Sequence, residues 1–162
     1  MPVSADFSNL LRKLSEADVK FIVIGGMAMV SHGSAFVTAD LDVCYEWSIS
    51  NCEAVARALA PLDPHLRGAP RELPFRLDAP TLKAGLNFTL ETNAGDIDLI
   101  GEVRGMGGYE DLLAGSVEYD LYGLPVRIMG IDDLIRAKKD ADRDKDRIHL
   151  RELRELKKRY QG

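Results

Sequence analysis

Phe7, Leu10, Leu11 and Leu14 recur at i, i+3, i+4 and i+7, the spacing of one helical face, and Ser4 or Asp6 can cap the start, so residues 5–17 are expected to form an amphipathic helix. The pattern then changes. Val19 to Ile24 is a short, continuously apolar and β-branched run that closes on Gly25-Gly26, which predicts a buried central strand. The two glycines make a tight turn into a short helix through Met27 to Val30, ending near His32-Gly33. From Thr38 to Tyr45 the positions alternate, with Leu41, Val43 and Tyr45 on one face of a strand and Asp40, Asp42 and Cys44 on the other. Cys52, Val55, Ala56 and Leu59 mark the next helix, capped by Ser48 or Ser50 and stopped by Pro61.

Asp63 to Pro80 holds Pro64, Pro70, Pro74 and Pro80 among scattered charges, the composition of a loop with room for a short edge strand. Leu86 to Thr92 and Ile97 to Val103 flank Asn93-Ala94-Gly95-Asp96 as a hairpin, and Val117 to Leu121 with Leu124 to Met129 form a second across Tyr122-Gly123. A short helix is predicted at Tyr109 to Ala114. Two more end the chain, about 131–141 and 144–160, the last with His149, Leu153, Leu156 and Tyr160 on one stripe. There is no internal repeat and no linker. The expectation is one α+β domain over residues 1–162, a mixed sheet with helices packed on it and a C-terminal helical segment at about 131–160.

Composition narrows the class. A chain of 162 residues suits one domain, and 46% hydrophobic with 29% charged residues is ordinary globular usage that excludes disorder. No apolar run approaches the ~20 residues of a bilayer span, and Met1 to Phe7 lacks the basic start and apolar stretch of a secretory signal, so a cytoplasmic protein without a membrane partner is expected. Cys44 and Cys52 are too few for a disulfide framework and are read as reduced, structural residues. The net charge of -5 is divided unevenly: residues 134–162 carry 11 Lys+Arg against 6 Asp+Glu, leaving a net of -10 on the rest. An acidic body thus carries a basic tail helix, either a solvated helix laced with intrahelical pairs or one that meets phosphate.

The chemistry sits on the aspartates. Asp40 and Asp42, two apart on a strand, point the same way with about 6–7 Å between their Cα atoms, and they repel unless a cation lies between them. Oxygen donors of this kind suit Mg²⁺ or Mn²⁺, and Mg²⁺ usually takes one or two protein carboxylates plus substrate phosphates. A third carboxylate, from the later Gly95-Asp96-Ile97-Asp98-Leu99 segment, would complete a site able to activate a hydroxyl and stabilise a pyrophosphate leaving group. The glycine turn would let backbone amides approach the phosphates. His32 is read as a local hydrogen-bonding residue, His65 and His149 have no clustered ligands, Tyr45 and Trp47 are packing residues, and Ser34 lacks the context of a nucleophile elbow.

Ile22-Val23-Ile24-Gly25-Gly26, thirteen residues, then Asp40-Leu41-Asp42-Val43 and a later strand Asp resemble the signature of the nucleotidyltransferase superfamily typified by DNA polymerase beta. Within it the chain is most similar to small bacterial AbiEii-like, minimal nucleotidyltransferases. That similarity rests on Gly25-Gly26-Met27-Ala28 with His32-Gly33 and Thr38-x-Asp40-x-Asp42, on Gly95 to Gly101, and on Asp133 to Lys138 with Arg143-x-Lys145-Asp146, and it spans residues 19–153. The resemblance implies that Asp40 and Asp42 hold both metals, that Asp98 binds the catalytic metal and activates the acceptor hydroxyl, and that Asp96 is the runner-up. It implies nucleotide contacts from Gly25, Gly26, Ser34, Lys138 and Lys145. The family pattern often has an Arg where this chain has Phe36, and Lys138, Lys139 or Lys145 would have to supply that cation.

The expected function is metal-dependent transfer of a nucleoside monophosphate from an NTP to a hydroxyl of a protein, an RNA or a small molecule, with pyrophosphate released. The alternatives are a non-catalytic nucleotide-binding component of a toxin-antitoxin or other regulatory pair, acting through a partner protein, and an antibiotic-modifying transferase.

Overall fold

Asp6 starts the first helix, its Oδ1 accepting a hydrogen bond from the Asn9 N–H at 3.1 Å, and α1 (Phe7–Glu16) buries Leu10, Leu11 and Leu14 completely. The computed structural model describes residues 5–161, with side chains through Arg159; Ser4, the other expected cap, and the Tyr160 side chain of the last helical stripe lie outside the described residues. β1 (Phe21–Ile24) is buried at every position, so both faces of the sheet are covered there. α2 (Gly25–Ser31) follows without a connecting residue, then β2 (Asp40–Tyr45) and α3 (Ile49–Leu59), whose cap is Ser48, its Oγ accepting from the Asn51 N–H at 3.3 Å. The α-helix ends at Leu59, two residues before Pro61, as the proline predicts. Pro61 itself sits inside a 3₁₀ turn, Ala60–Leu62, in the first positions, where a missing N–H costs nothing.

The proline-rich stretch does contain an edge strand, β3 (His65–Leu66), but it also contains a helix where the sequence pattern predicts loop: α4 (Ala79–Gly85). The reason is positional. Pro80 occupies the first turn, and Asp78 Oδ1 accepts from the Thr81 N–H at 2.9 Å, so the proline is a start signal here. β4 (Phe88–Thr92) and β5 (Gly95–Ile100) turn on Asn93-Ala94 alone, with Gly95 and Asp96 already in the strand. β5 stops three residues short of the expected Val103, because Glu102–Val103 (β6) pairs instead with Gly107–Gly108 (β7) in a separate ribbon. α5 (Tyr109–Leu113), the hairpin β8 (Val117–Leu121) and β9 (Leu124–Ile128), α6 (Ile131–Ala141) and α7 (Asp144–Gln161) complete the α+β architecture.

The main sheet has seven strands in the order β3-β4-β5-β2-β1-β9-β8 and is mixed: β2–β5 and β1–β9 are parallel, the other pairs antiparallel. α1 packs on α3 and α3 on α4, while α2 meets α6 and α6 packs on α7. Cys44 and Cys52 are free and buried, and burial pushes the Cys44 thiol up to about 12, which makes it an unreactive core residue. Among the described residues no helix is long and apolar enough to cross a membrane.

Candidate functional site

Register decides which carboxylates meet. β2 and β5 run parallel with Asp40 opposite Asp96 and Asp42 opposite Asp98, so alternation brings all four side chains to one face of adjacent strands. One oxygen from each of Asp40, Asp42 and Asp98 lies within 4.8 Å of the others. Asp96, which shares the strand face of Asp98, stands outside that group. Burial, a hydrogen bond shared with Asp98 and the charges of Asp40 and Asp98 push the Asp42 carboxyl up to about 8. Burial likewise raises Asp98, opposed by its bonding to Asp42 and by the nearby Arg67. Asp42 Oδ1 and Asp98 Oδ1 are buried without a hydrogen-bond partner. Crowded, under-satisfied carboxylate oxygens with no nitrogen or sulfur among them fit a hard divalent cation, which would supply the missing partner and reverse the repulsion.

The backbone is thin where it passes these groups. Gly25 has φ +63, in the left-handed region, and a Cβ there would collide with Asp42 Oδ2. At Gly26 a Cβ would stand 2.8 Å from Thr38 Oγ1. Both glycines line a cleft of about 550 Å³ together with Asp40, Asp42 and Asp98, and the basic residues Lys138, Arg143 and Lys145 line the same cleft. Lys138 and Arg143 are held by Asp146, which is completely buried: Oδ1 receives Lys138 Nζ at 3.2 Å and Oδ2 receives Arg143 Nε at 2.6 Å. Arg143 and Lys138 hold the Asp146 carboxyl down to about 2. Lys145 is exposed and forms no ion pair among the described residues.

Three residues that sequence reasoning passed over belong to this region. Arg67, next to the edge strand β3, sends its guanidinium across β4 to the carboxylates: Nη2 is 2.9 Å from Asp98 Oδ1, Nε 3.3 Å from Asp96 Oδ2 and Nη1 3.7 Å from Asp40 Oδ2. One of three arginines in a proline-rich segment, with Arg71 and Arg76, carries no signal of such a role. Arg143 stands in the Arg143-x-Lys145 motif, which could have marked it. His149 lines the cleft with its Nδ1 buried and unpartnered, and burial lowers its pKa, which favours the neutral ring. Phe36 packs edge-on against it, ring centroids 4.7 Å apart.

Ser34 is not among the residues lining the cleft. It is buried, and its Oγ accepts from the Phe36 N–H at 3.0 Å. Lys139 is exposed and likewise absent from the lining. His32 caps the end of α2, but its hydrogen bonding is long-range and not local: Nε2 lies 2.9 Å from the Met129 carbonyl oxygen and Nδ1 faces Tyr119. Tyr45 and Trp47 tie the end of β2 to α4, through Tyr45 Oη donating to the Leu86 carbonyl at 2.7 Å and Trp47 Nε1 to the Leu82 carbonyl at 2.9 Å.

The sequence matches no family model and no curated protein. Similarity is found in structure. A candidate nucleotidyltransferase from Thermotoga maritima aligns with a TM-score of 0.57 over 90% of this chain and 91% of its own, at 13% identity. ANT(2″)-Ia in complex with adenylyl-2″-tobramycin aligns at 0.54 over 96% of this chain and 94% of its own, again at 13% identity. The solution structure of the antibiotic-resistance factor ANT(2″)-Ia gives 0.51 over 96% and 82%, at 16% identity. The chain shares the fold of these three solved structures.

Proposed function

We propose that the chain is a metal-dependent nucleotidyltransferase that moves a nucleoside monophosphate from an NTP to a hydroxyl acceptor and releases pyrophosphate. The observation that carries the reading is the convergence of Asp40, Asp42 and Asp98 in a cleft that also presents Lys138, Arg143 and Lys145. The shared fold supports the same reaction class. Asp40, Asp42 and Asp98 would hold Mg²⁺ or Mn²⁺, which when bound neutralises charge on the triphosphate and the developing leaving group. In the transfer the acceptor oxygen bonds to the α-phosphorus as the bond to the bridging oxygen of the β-phosphate breaks. Asp98 takes the hydroxyl proton, and pyrophosphate departs with the bonding electrons. Gly25 and Gly26 leave room for phosphate beside the aspartates, and Lys138, Arg143 and Lys145 meet its negative charge.

With α-³²P-labelled NTPs, Mg²⁺ and a cell extract, the wild-type chain is expected to label an acceptor, and Asp98→Asn to label it ~10³-fold less, the range of a general base. Equal labelling by both would remove Asp98 from the reaction. Lys145→Ala is expected to raise the NTP KM by about tenfold, as loss of one charge-assisted contact would, and to leave the melting temperature unchanged because the side chain is exposed. An unchanged KM would place the triphosphate elsewhere.

A second reading, nucleotide binding without turnover in a toxin-antitoxin or regulatory pair, is favoured by Phe36, which lines the cleft where the related pattern often has an arginine. Stabilisation by NTP and Mg²⁺ with no pyrophosphate formed over hours is its signature. A third, transfer to a drug hydroxyl, draws on the shared fold of ANT(2″)-Ia and is tested by supplying tobramycin as the only acceptor.

A further inference from the structure

The carboxylates that suit a metal ion already face a cation of the chain's own. Arg67 is anchored by its backbone, the N–H donating to the Thr89 carbonyl at 3.0 Å, and Nη2 donates to the Leu90 carbonyl at 2.8 Å. Beyond those anchors the guanidinium touches three carboxylates, and they are of two kinds. Asp98 and Asp40 belong to the group of three that could share one ion; Asp96 does not. We propose that Arg67 is an internal competitor for the divalent cation, and that Asp96 is the carboxylate that retains its guanidinium when the ion enters. The inference rests on the metal site proposed above and adds the element that sets its affinity.

Three observations carry it, together with the repulsion between like charges. The contacts to Asp98 and Asp96 are ionic and lie off the donor directions, since Asp98 Oδ1 at 2.9 Å and Arg67 Nε are both left without a hydrogen bond. Arg67 therefore neutralises charge without satisfying the oxygens, which leaves them free to prefer a dication. A divalent ion on Asp40 and Asp98 would face the fixed positive charge of the guanidinium across a few ångströms, so the two cannot share those oxygens without a large repulsion. Backbone pairing through β3 and β4 keeps Arg67 beside the sheet, so only the side chain can move. Asp96 is the more exposed partner, 41% against 19% for Asp98, and it sits in register beside Asp40, where the guanidinium can stay while the ion takes Asp98.

The test is Mn²⁺ binding to the full chain without nucleotide, followed by the electron paramagnetic resonance of free Mn²⁺, for wild type, Arg67→Met, Asp96→Asn and the double variant. Arg67→Met is expected to bind Mn²⁺ at least ~10-fold more tightly than wild type, because one unit charge is removed from the edge of the site. Asp96→Asn is expected to bind several-fold more weakly, since the guanidinium is left with only the metal's own ligands, and this loss should vanish when Arg67 is also replaced. A merely nearby negative charge at Asp96 would weaken binding equally in both backgrounds, which overturns its retaining role. Arg67→Met binding no more tightly than wild type overturns the competition; Arg67→Gln serves the same comparison if Arg67→Met does not fold. Mn²⁺ failing to bind wild type and Arg67→Met alike overturns the metal site itself.

Discussion

Replacing Asp42 with asparagine is expected to end nucleotidyl transfer while making the metal-free protein more stable. In the folded chain burial and the neighbouring Asp98 and Asp40 raise the Asp42 carboxyl to about 8, well above the ordinary ~3.9 it has when unfolded. The sign follows from those two values. Below ~3.9 both states are protonated and Asp42 costs nothing; between ~3.9 and 8 the unfolded chain releases a proton that the folded chain keeps, so stability falls as pH rises, and above about 8 the whole cost is present. Asparagine has no charge to bury. Its gain is therefore expected to be roughly 5–10 °C in Tm at pH 8 and much smaller at pH 5, on the basis of a few kcal/mol in a chain of this size. Adding Mg²⁺ should reverse the order, raising the wild-type Tm and leaving Asp42→Asn unmoved, while labelled transfer drops by ~10³-fold or more. Melting curves at both pH values with and without Mg²⁺ decide it. An Asp42→Asn chain that melts with wild type in metal-free buffer at pH 8 would mean that the carboxylates do not strain the fold.

Asp146→Ala is expected to act in the opposite direction, destabilising the chain and weakening nucleotide binding together. Asp146 is fully buried between α6 and α7 and answers Lys138 Nζ, Arg143 Nε and the Arg143 backbone N–H. Removing the anion leaves the half-buried Lys138 ammonium without its partner, a loss of about 3 kcal/mol or roughly 6–12 °C in Tm. The carboxyl is held down to about 2, so its contribution is complete above the ordinary ~3.9 and disappears as pH falls toward 2. The gap between the two proteins should accordingly narrow at pH 3. Because Lys138 and Arg143 both line the cleft, the variant should also raise the NTP KM, whereas a purely structural bolt would lower Tm alone. An unchanged Tm at pH 7 would show that the two helices are held by Leu153, Leu156 and their apolar neighbours without the ion pairs.

Most of the strands and helices could be read along the chain because their signals are local. The i, i+3, i+4, i+7 spacing of Phe7, Leu10, Leu11 and Leu14, and the alternation from Leu41 to Tyr45, need no knowledge of the partner surface. The errors fall where one local signal has two meanings. Pro80 marks loop by composition but starts α4 by position, with Asp78 capping it, and the ladder through Val103 breaks at Gly101, where β6 finds a different partner in β7. His149 stood in a readable segment, yet nothing in its spacing says that α7 turns it toward the aspartates.

The sequence alone determined that Asp40 and Asp42 share one face, that Asp96 and Asp98 share another, and that glycines open the helix beside them, because a strand's period of two and a glycine's freedom at positive φ belong to the chain itself. Only the tertiary structure decided which of these groups meet. The parallel register of β2 and β5 sets Asp42 beside Asp98, and the placement of β3 and β4 carries Arg67 over Asp96, Asp98 and Asp40. Register and strand order are set by packing between distant segments, and no spacing within one segment encodes them.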